Sequence, residues 1–122
     1  MLLLSFALAP SGPPQEVIAD PRTSTEIIVV WKAPQREMWN GNLLGYYVGY
    51  REQEPTNTPA PVTSTSNYNF KTVELGVQYG GETTIEGLEK FTTYAVIVQA
   101  YNSRGAGPSS TPVFVRTKED GE

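Results

Sequence analysis

The 122-residue chain has no cysteine and no histidine. Without an imidazole there is no general base for Ser-His-Asp or Cys-His nucleophilic catalysis. Without thiolate or imidazole there is no ordinary zinc site. No disulfide can staple the fold, so the core must close by packing and hydrogen bonding alone, and cysteine usage does not report the redox compartment. Long apolar runs are also missing. The opening "MLLLSFALAP" holds about 8 apolar residues, against about 20 for a membrane span. It carries no basic residue ahead of its apolar part, as a secretory signal would. It reads as a remnant, and residues 1–12 are set outside the fold as a flexible segment. Clustered positive charge is absent too. Nine Lys and Arg, scattered from Arg22 to Lys118, face thirteen Asp and Glu for a net charge of -4. That balance argues against nucleic acid or an anionic membrane surface as a partner. No Asn-X-Ser/Thr acceptor exists, since Asn57-Thr58-Pro59 and Asn102-Ser103-Arg104 both lack a hydroxyl residue at the third position.

What the sequence does contain is a series of short β-prone segments divided by turn residues. "EVIAD" follows Pro13-Pro14 and stops at Pro21. "TEIIVVWK" (25–32) is β-branched and ends in Trp31, with Ile27, Val29 and Trp31 on one parity and Ile28 and Val30 on the other. "LLGYYVGYRE" (43–52) alternates Tyr46, Val48 and Tyr50 against Tyr47, Gly49 and Arg51, after a turn at Asn40-Gly41. "NYNFKTVEL" (67–75), "ETTIEGL" (82–88), the stretch around "TYAVIVQAYN", and "TPVFVRT" (111–117) complete seven strands. Between the third and fourth, residues 52–66 form a Thr/Ser/Pro loop whose Thr63 to Ser66 run could carry O-glycans if secreted. No segment has a helical period. The pattern predicts an all-β, seven-stranded immunoglobulin-like antiparallel sandwich over residues 13–118, with 119–122 as a linker.

Immunoglobulin domains normally pair two cysteines around a core Trp. Here the Trp remains and the cysteines do not. Tyr94 opens the penultimate strand six residues after Leu88, with Thr92 between them. In such sandwiches a Tyr there folds back over the preceding corner and hydrogen-bonds the backbone upstream, burying its ring without stranding the hydroxyl. From Tyr94, the residues Val96, Val98 and Ala100 are expected to face inward, and Ala95, Ile97, Gln99 and Tyr101 outward.

The residues that carry a resemblance are Pro13-Pro14, Trp31, "NGNLLGYYVGYRE", "GLEKFTTYAVIVQAYNSRGAGPSS" and "TKED". Together they resemble a fibronectin type III domain, most of all the repeats of the Down syndrome cell adhesion molecule family in its insect form. The resemblance implies an extracellular module of a neuronal adhesion receptor with a single membrane span. It would act as spacer and protein-interaction domain in homophilic recognition, axon guidance and self-avoidance, with a link to immunity in insects. It implies no enzymatic activity, no cofactor and no metal. The implied partners are the same receptor on an opposing cell and neighbouring domains of the same chain, with the isolated domain a monomer and no membrane contact of its own. Other readings are a type III domain of a receptor tyrosine phosphatase or sidekick-like receptor, or an accessory module of a secreted enzyme.

Trp31, Tyr46, Leu88, Thr92, Tyr94 and Val96 are expected to be structural. Tyr47, Ile97 and Tyr101 should share the outer face of one sheet, where they either pack against each other across strands or form a partner surface. Trp39, beside the Asn40-Gly41 turn, either caps the end of the core or makes a contact. Arg104 stands in "NSRGAG", where some type III domains display Arg-Gly-Asp. Here Ala106 replaces the acid, so integrin binding through this loop is not expected, and its glycines serve a tight turn. Glu52, Glu54, Glu82 and Glu86 have no calcium-loop spacing and read as solvated surface.

Overall fold

A computed structural model describes residues 8–53 and 67–120. Eight strands run in chain order: β1 (Gln15–Pro21), β2 (Ile27–Lys32), β3 (Gly45–Glu52), β4 (Asn69–Glu74), β5 (Gly81–Ile85), β6 (Thr93–Asn102), β7 (Gly105–Ala106) and β8 (Val113–Arg116). They form two antiparallel sheets, β1-β2-β5 and β4-β3-β6 with β7 and β8 both paired to β6. A short 3-10 turn at Arg36–Met38 and a tight turn at Val77–Tyr79, where Gln78 and Tyr79 have positive φ (53° and 67°), interrupt the loops. The Thr/Ser/Pro loop lies outside the described residues at 54–66, as does any glycan on it.

The strand beyond the expected seven is a division of the last one. Pro108 and Pro112 cannot donate to a ladder, so the pairing of β7 with β6 lapses before β8 resumes it. Ser110 bridges the gap. Its backbone N–H donates to the Val98 carbonyl (2.9 Å), and its hydroxyl oxygen accepts the Val98 N–H (2.9 Å). Both polar groups of a fully buried strand residue are thereby satisfied.

The inner faces follow the two-residue period. Ile27, Val29 and Trp31 from β2, and Ile85 from β5, meet Tyr46 and Val48 from β3, Tyr94 to Ala100 at alternate positions of β6, and Val115. Trp31 packs edge-on against Tyr46, ring centroids 5.2 Å apart, a geometry worth about 0.5–1.5 kcal/mol beyond the area it buries. Gly81 permits this, because a Cβ there would stand 2.3 Å from the indole ring. The Tyr46 hydroxyl donates to the Tyr79 carbonyl (2.5 Å). Burial pushes this phenol up to about 12. The Trp31 indole beside it opposes part of that rise, although its N–H reaches no acceptor at hydrogen-bonding distance.

At the lower corner Tyr94, 6% exposed, folds back over the turn after β5. Its hydroxyl oxygen accepts the Glu89 N–H at 2.8 Å, so the phenol satisfies a backbone donor, not a carbonyl. Thr92 and Thr117 complete the corner: the Thr92 N–H donates to Thr117 Oγ1 (2.9 Å), which in turn donates to the Glu89 carbonyl (2.7 Å). Leu88 is buried beneath, its N–H on the Thr25 carbonyl (3.0 Å). On the open side of the sandwich, Lys71 of β4 donates its ammonium to the Thr84 carbonyl of β5 (2.8 Å).

The expected boundary at residue 13 is corrected at the upper end. Residues 8–12, set outside the fold by their composition, are fastened to it. Ser11 N–H bonds the Met38 carbonyl (2.8 Å), Asn40 Nδ2 bonds the Ala9 carbonyl (2.9 Å), and Pro10 and Gly12 are buried. Composition could not reveal this, because the partners, the Met38 carbonyl and the Asn40 side-chain amide, lie far along the chain.

Candidate functional site

Among the described residues no group of three His, Cys, Asp or Glu side chains converges as a cation site. The cleft on the open side between β4 and β5, about 560 Å³, is lined by Trp31, Val73, Leu75, Val77 and Gly81, with Lys71, Glu74 and Glu82 around them. Its remaining polar lining is the hydroxyls of Thr72 and Thr83. The feature with the composition of a contact surface is the outer face of the five-stranded sheet.

That face is set by register. Phe70, Gly49 and Ile97 stand in one row across β4, β3 and β6, and Arg51, Ala95 and Phe114 in the next across β3, β6 and β8. Gly49 makes the first row possible. A Cβ there would lie 2.7 Å from the Phe70 ring and 3.0 Å from Ile97, so the ring lies down over the glycine. Ile97 is consequently 2% exposed. This corrects its assignment to a partner surface: the period places it on the outer face, but Phe70 covers it. Ala95, on the same parity, is buried with it. The solvent instead meets the covering rings, Phe70 at 46% and Phe114 at 62% exposure. Isolated Phe residues on edge strands carry little signal in a sequence. Their pairing becomes visible only through the small residues, Gly49 and Ala95, that stand opposite them.

Two arginines flank the rings. Arg51 lies over Tyr68 (5.0 Å) and Arg116 over Phe91 (4.9 Å), cation–π placements that hold the guanidinium flat. Arg116 Nε also donates to Thr93 Oγ1 (3.2 Å). Arg51 Nε is buried and has no hydrogen-bond partner among the described residues. Neither arginine pairs with a carboxylate among the described residues, where the salt bridges are Lys32–Glu16 (2.9 Å) and Lys90–Asp120 (2.6 Å). Exposed aromatics with arginine are the residue types that anchor protein interfaces.

Higher on the same face Tyr47 and Tyr101 stack at 4.5 Å with their planes 17° apart. Tyr101 stands across from Gly45, whose Cβ would meet the ring at 3.0–3.1 Å. The structure thus brings Tyr47 and Tyr101 together as a cross-strand pair, half-exposed, and separates Ile97 from them by burial.

Of the two readings of Trp39, its burial matches the cap. At 8% exposure it caps the upper end of the core and offers no contact surface. Its indole N–H donates to the Pro34 carbonyl (2.8 Å), the Tyr79 ring meets it edge-on at 5.3 Å, and the Arg36 guanidinium lies over it at 4.5 Å. Arg104 is exposed at the β6–β7 turn, its backbone N–H on Asn102 Oδ1 (2.8 Å). Gly105 has φ 134°, a turn requirement, whereas Gly107 is small because the Pro10 carbonyl would lie 2.5 Å from its Cβ. Asn102 organises this end. Its buried amide donates to the carbonyls of Leu8 (2.9 Å), Trp39 (3.0 Å) and Asn40 (3.4 Å).

On the other sheet, Ile18 is exposed, and Ile28 and Val30 are partly so, alongside Asp20 and Glu82. Phe70 and Phe114 therefore mark the more aromatic of the two outer faces.

The comparisons with known proteins agree with this architecture. A family model described as the fibronectin type III domain matches residues 12–116. The chain is 42% identical over 113 residues to the cell adhesion molecule DSCAML1 of Gallus gallus, covering 92% of this chain and 5% of that protein. It is 41% identical over 112 residues to the cell adhesion molecule Dscam2 of Drosophila melanogaster, covering 91% and 5%. These values do not separate vertebrate from insect relatives. The solution structure of the third fibronectin III domain of the human KIAA0343 protein superposes with a TM-score of 0.76 at 24% identity, covering 100% of this chain and 94% of that one, which supports the fold.

Proposed function

The chain belongs to the fibronectin type III family, and from that premise we propose that it is an extracellular module of a neuronal cell adhesion receptor. It holds neighbouring domains apart and contributes a protein contact surface to recognition between like receptors, in axon guidance and self-avoidance. It performs no chemistry. The observation that carries this reading is the likeness, at about 40% identity over nine-tenths of the chain, to cell adhesion molecules. Those relatives are some twenty times longer than the part matched, so recognition by the whole receptor rests on more than this module. The contact surface is the outer face carrying Phe70, Phe114, Arg51 and Arg116. Tyr47 and Tyr101 serve chiefly to brace its upper half.

A single module surface of this size binds weakly, and display in many copies converts weak contacts into adhesion. The isolated domain is expected to sediment as a monomer. Beads carrying it densely are expected to aggregate, and beads carrying a Phe70→Ser, Phe114→Ser double variant to stay dispersed. Equal aggregation by both preparations would remove the face from recognition. Dispersed wild-type beads would leave the module a spacer.

A further inference from the structure

The Asn40-Gly41 pair makes the turn between β2 and β3, yet its geometry ties it to a second place in the chain. Asn40 has φ 55° and Gly41 φ 131°, both in the left-handed region that glycine favours and that asparagine tolerates. Asn40 and Gly41 are exposed. The Asn40 side-chain amide donates to the Ala9 carbonyl (2.9 Å), and its backbone carbonyl accepts from Asn102 (3.4 Å). One turn earlier, the Met38 carbonyl holds the Ser11 N–H (2.8 Å). The incoming residues 8–11 are therefore held by a set of bonds in which Asn40 supplies a neutral amide donor.

An asparagine followed by glycine is also the pairing most open to self-modification. Glycine has no Cβ to shield its amide nitrogen, and a Cβ built on Gly41 would find only the Asn102 amide, 3.9 Å away. We propose that Asn40 is a site of spontaneous deamidation that unfastens the incoming segment. The Gly41 backbone nitrogen attacks Asn40 Cγ. The N–Cγ bond forms, the Cγ–Nδ2 bond breaks, and the nitrogen leaves as ammonia with the proton that Gly41 gives up. Water then opens the succinimide to aspartate or isoaspartate, with no oxidant, reductant or enzyme.

The product reverses the local interaction. A carboxylate has no proton to donate, so the Ala9 carbonyl loses its partner and faces a negative charge instead. The isoaspartate form also adds a methylene to the main chain between Asn40 Cα and the Gly41 nitrogen, inside the turn itself. Attack requires the Asn40–Gly41 peptide to turn its nitrogen toward Asn40 Cγ and so to shift from its place. The Asn102 bonds to Trp39 O and Asn40 O hold it there, so Asn102 sets the rate.

The test is ageing of the purified domain at mildly alkaline pH, followed by peptide mapping and hydrogen exchange. The tryptic peptide 37–51 contains Asn40 and Asn42, and fragment masses tell them apart. Asn40 is expected to gain the mass of an amide-to-acid exchange while Asn42 and Asn102 do not. The Ser11 amide is expected to lose its exchange protection in the converted fraction, and equally in an unaged Asn40→Asp variant. Asn102→Ala is expected to convert faster. The proposal is overturned if Asn40 stays intact while the free peptide 37–51 converts fully. It is overturned as well if the converted protein and Asn40→Asp keep the Ser11 protection of the native domain.

Discussion

At the scale of the residue, a phenol does the work that a cross-link does in related sandwiches. Tyr94 buries its ring and satisfies the Glu89 N–H. Tyr94→Phe keeps the ring and removes that acceptor; Glu89 is exposed and water can reach its N–H, so the expected cost is that of one ordinary hydrogen bond, about 0.5–1.5 kcal/mol. A urea midpoint lowered with an unchanged slope would check it, since a constant slope reports an unchanged fold. The position of Tyr94 was legible because Leu88, Thr92 and Tyr94 keep a fixed spacing within one local turn. The sense of its hydrogen bond was not, because a hydroxyl can donate or accept and only the neighbouring backbone decides. Ile97 failed as a surface residue for a related reason. Alternation tells which face a side chain leaves from, but its cover comes from Phe70, which lies on another strand.

At the scale of the element, the last strand shows how a ladder survives prolines. Ser110 lends its hydroxyl to Val98 where a straight strand would present a carbonyl. Ser110→Ala leaves a fully buried N–H unpaired and is expected to destabilise the domain by about 1–3 kcal/mol. Ser110→Thr should retain most of that stability, and thermal melts of the two variants side by side would check the contrast. The strands that the two-residue period foretells, β2, β3 and β6, are those with β-branched or aromatic residues on both parities. The division of the final strand into β7 and β8 escaped that reading. A proline pair shows where pairing must stop, but not that a serine between them keeps the chain on course.

At the scale of the molecule, two buried phenols make the fold sensitive to alkali. Burial holds Tyr46 up at about 12 against its ordinary 10.0. Burial pushes Tyr94 in the same direction, with the Glu89 backbone bond opposing it. A phenol that keeps its proton longer when folded stabilises the native state fully below pH 10. That stability is lost as pH rises from there through about 12. The Tyr46 share is at most about 3 kcal/mol. Urea midpoints followed across that range are expected to fall, and Tyr46→Phe should flatten the fall. The architecture also bears on how such modules live beside one another. The Lys71 ammonium rests on the Thr84 carbonyl and so occupies a position on the rim of β5 where a foreign strand would seek its hydrogen bond. An intruder must first displace a cation from its seat. The open edge of β5 is thereby guarded against pairing with a strand of another molecule.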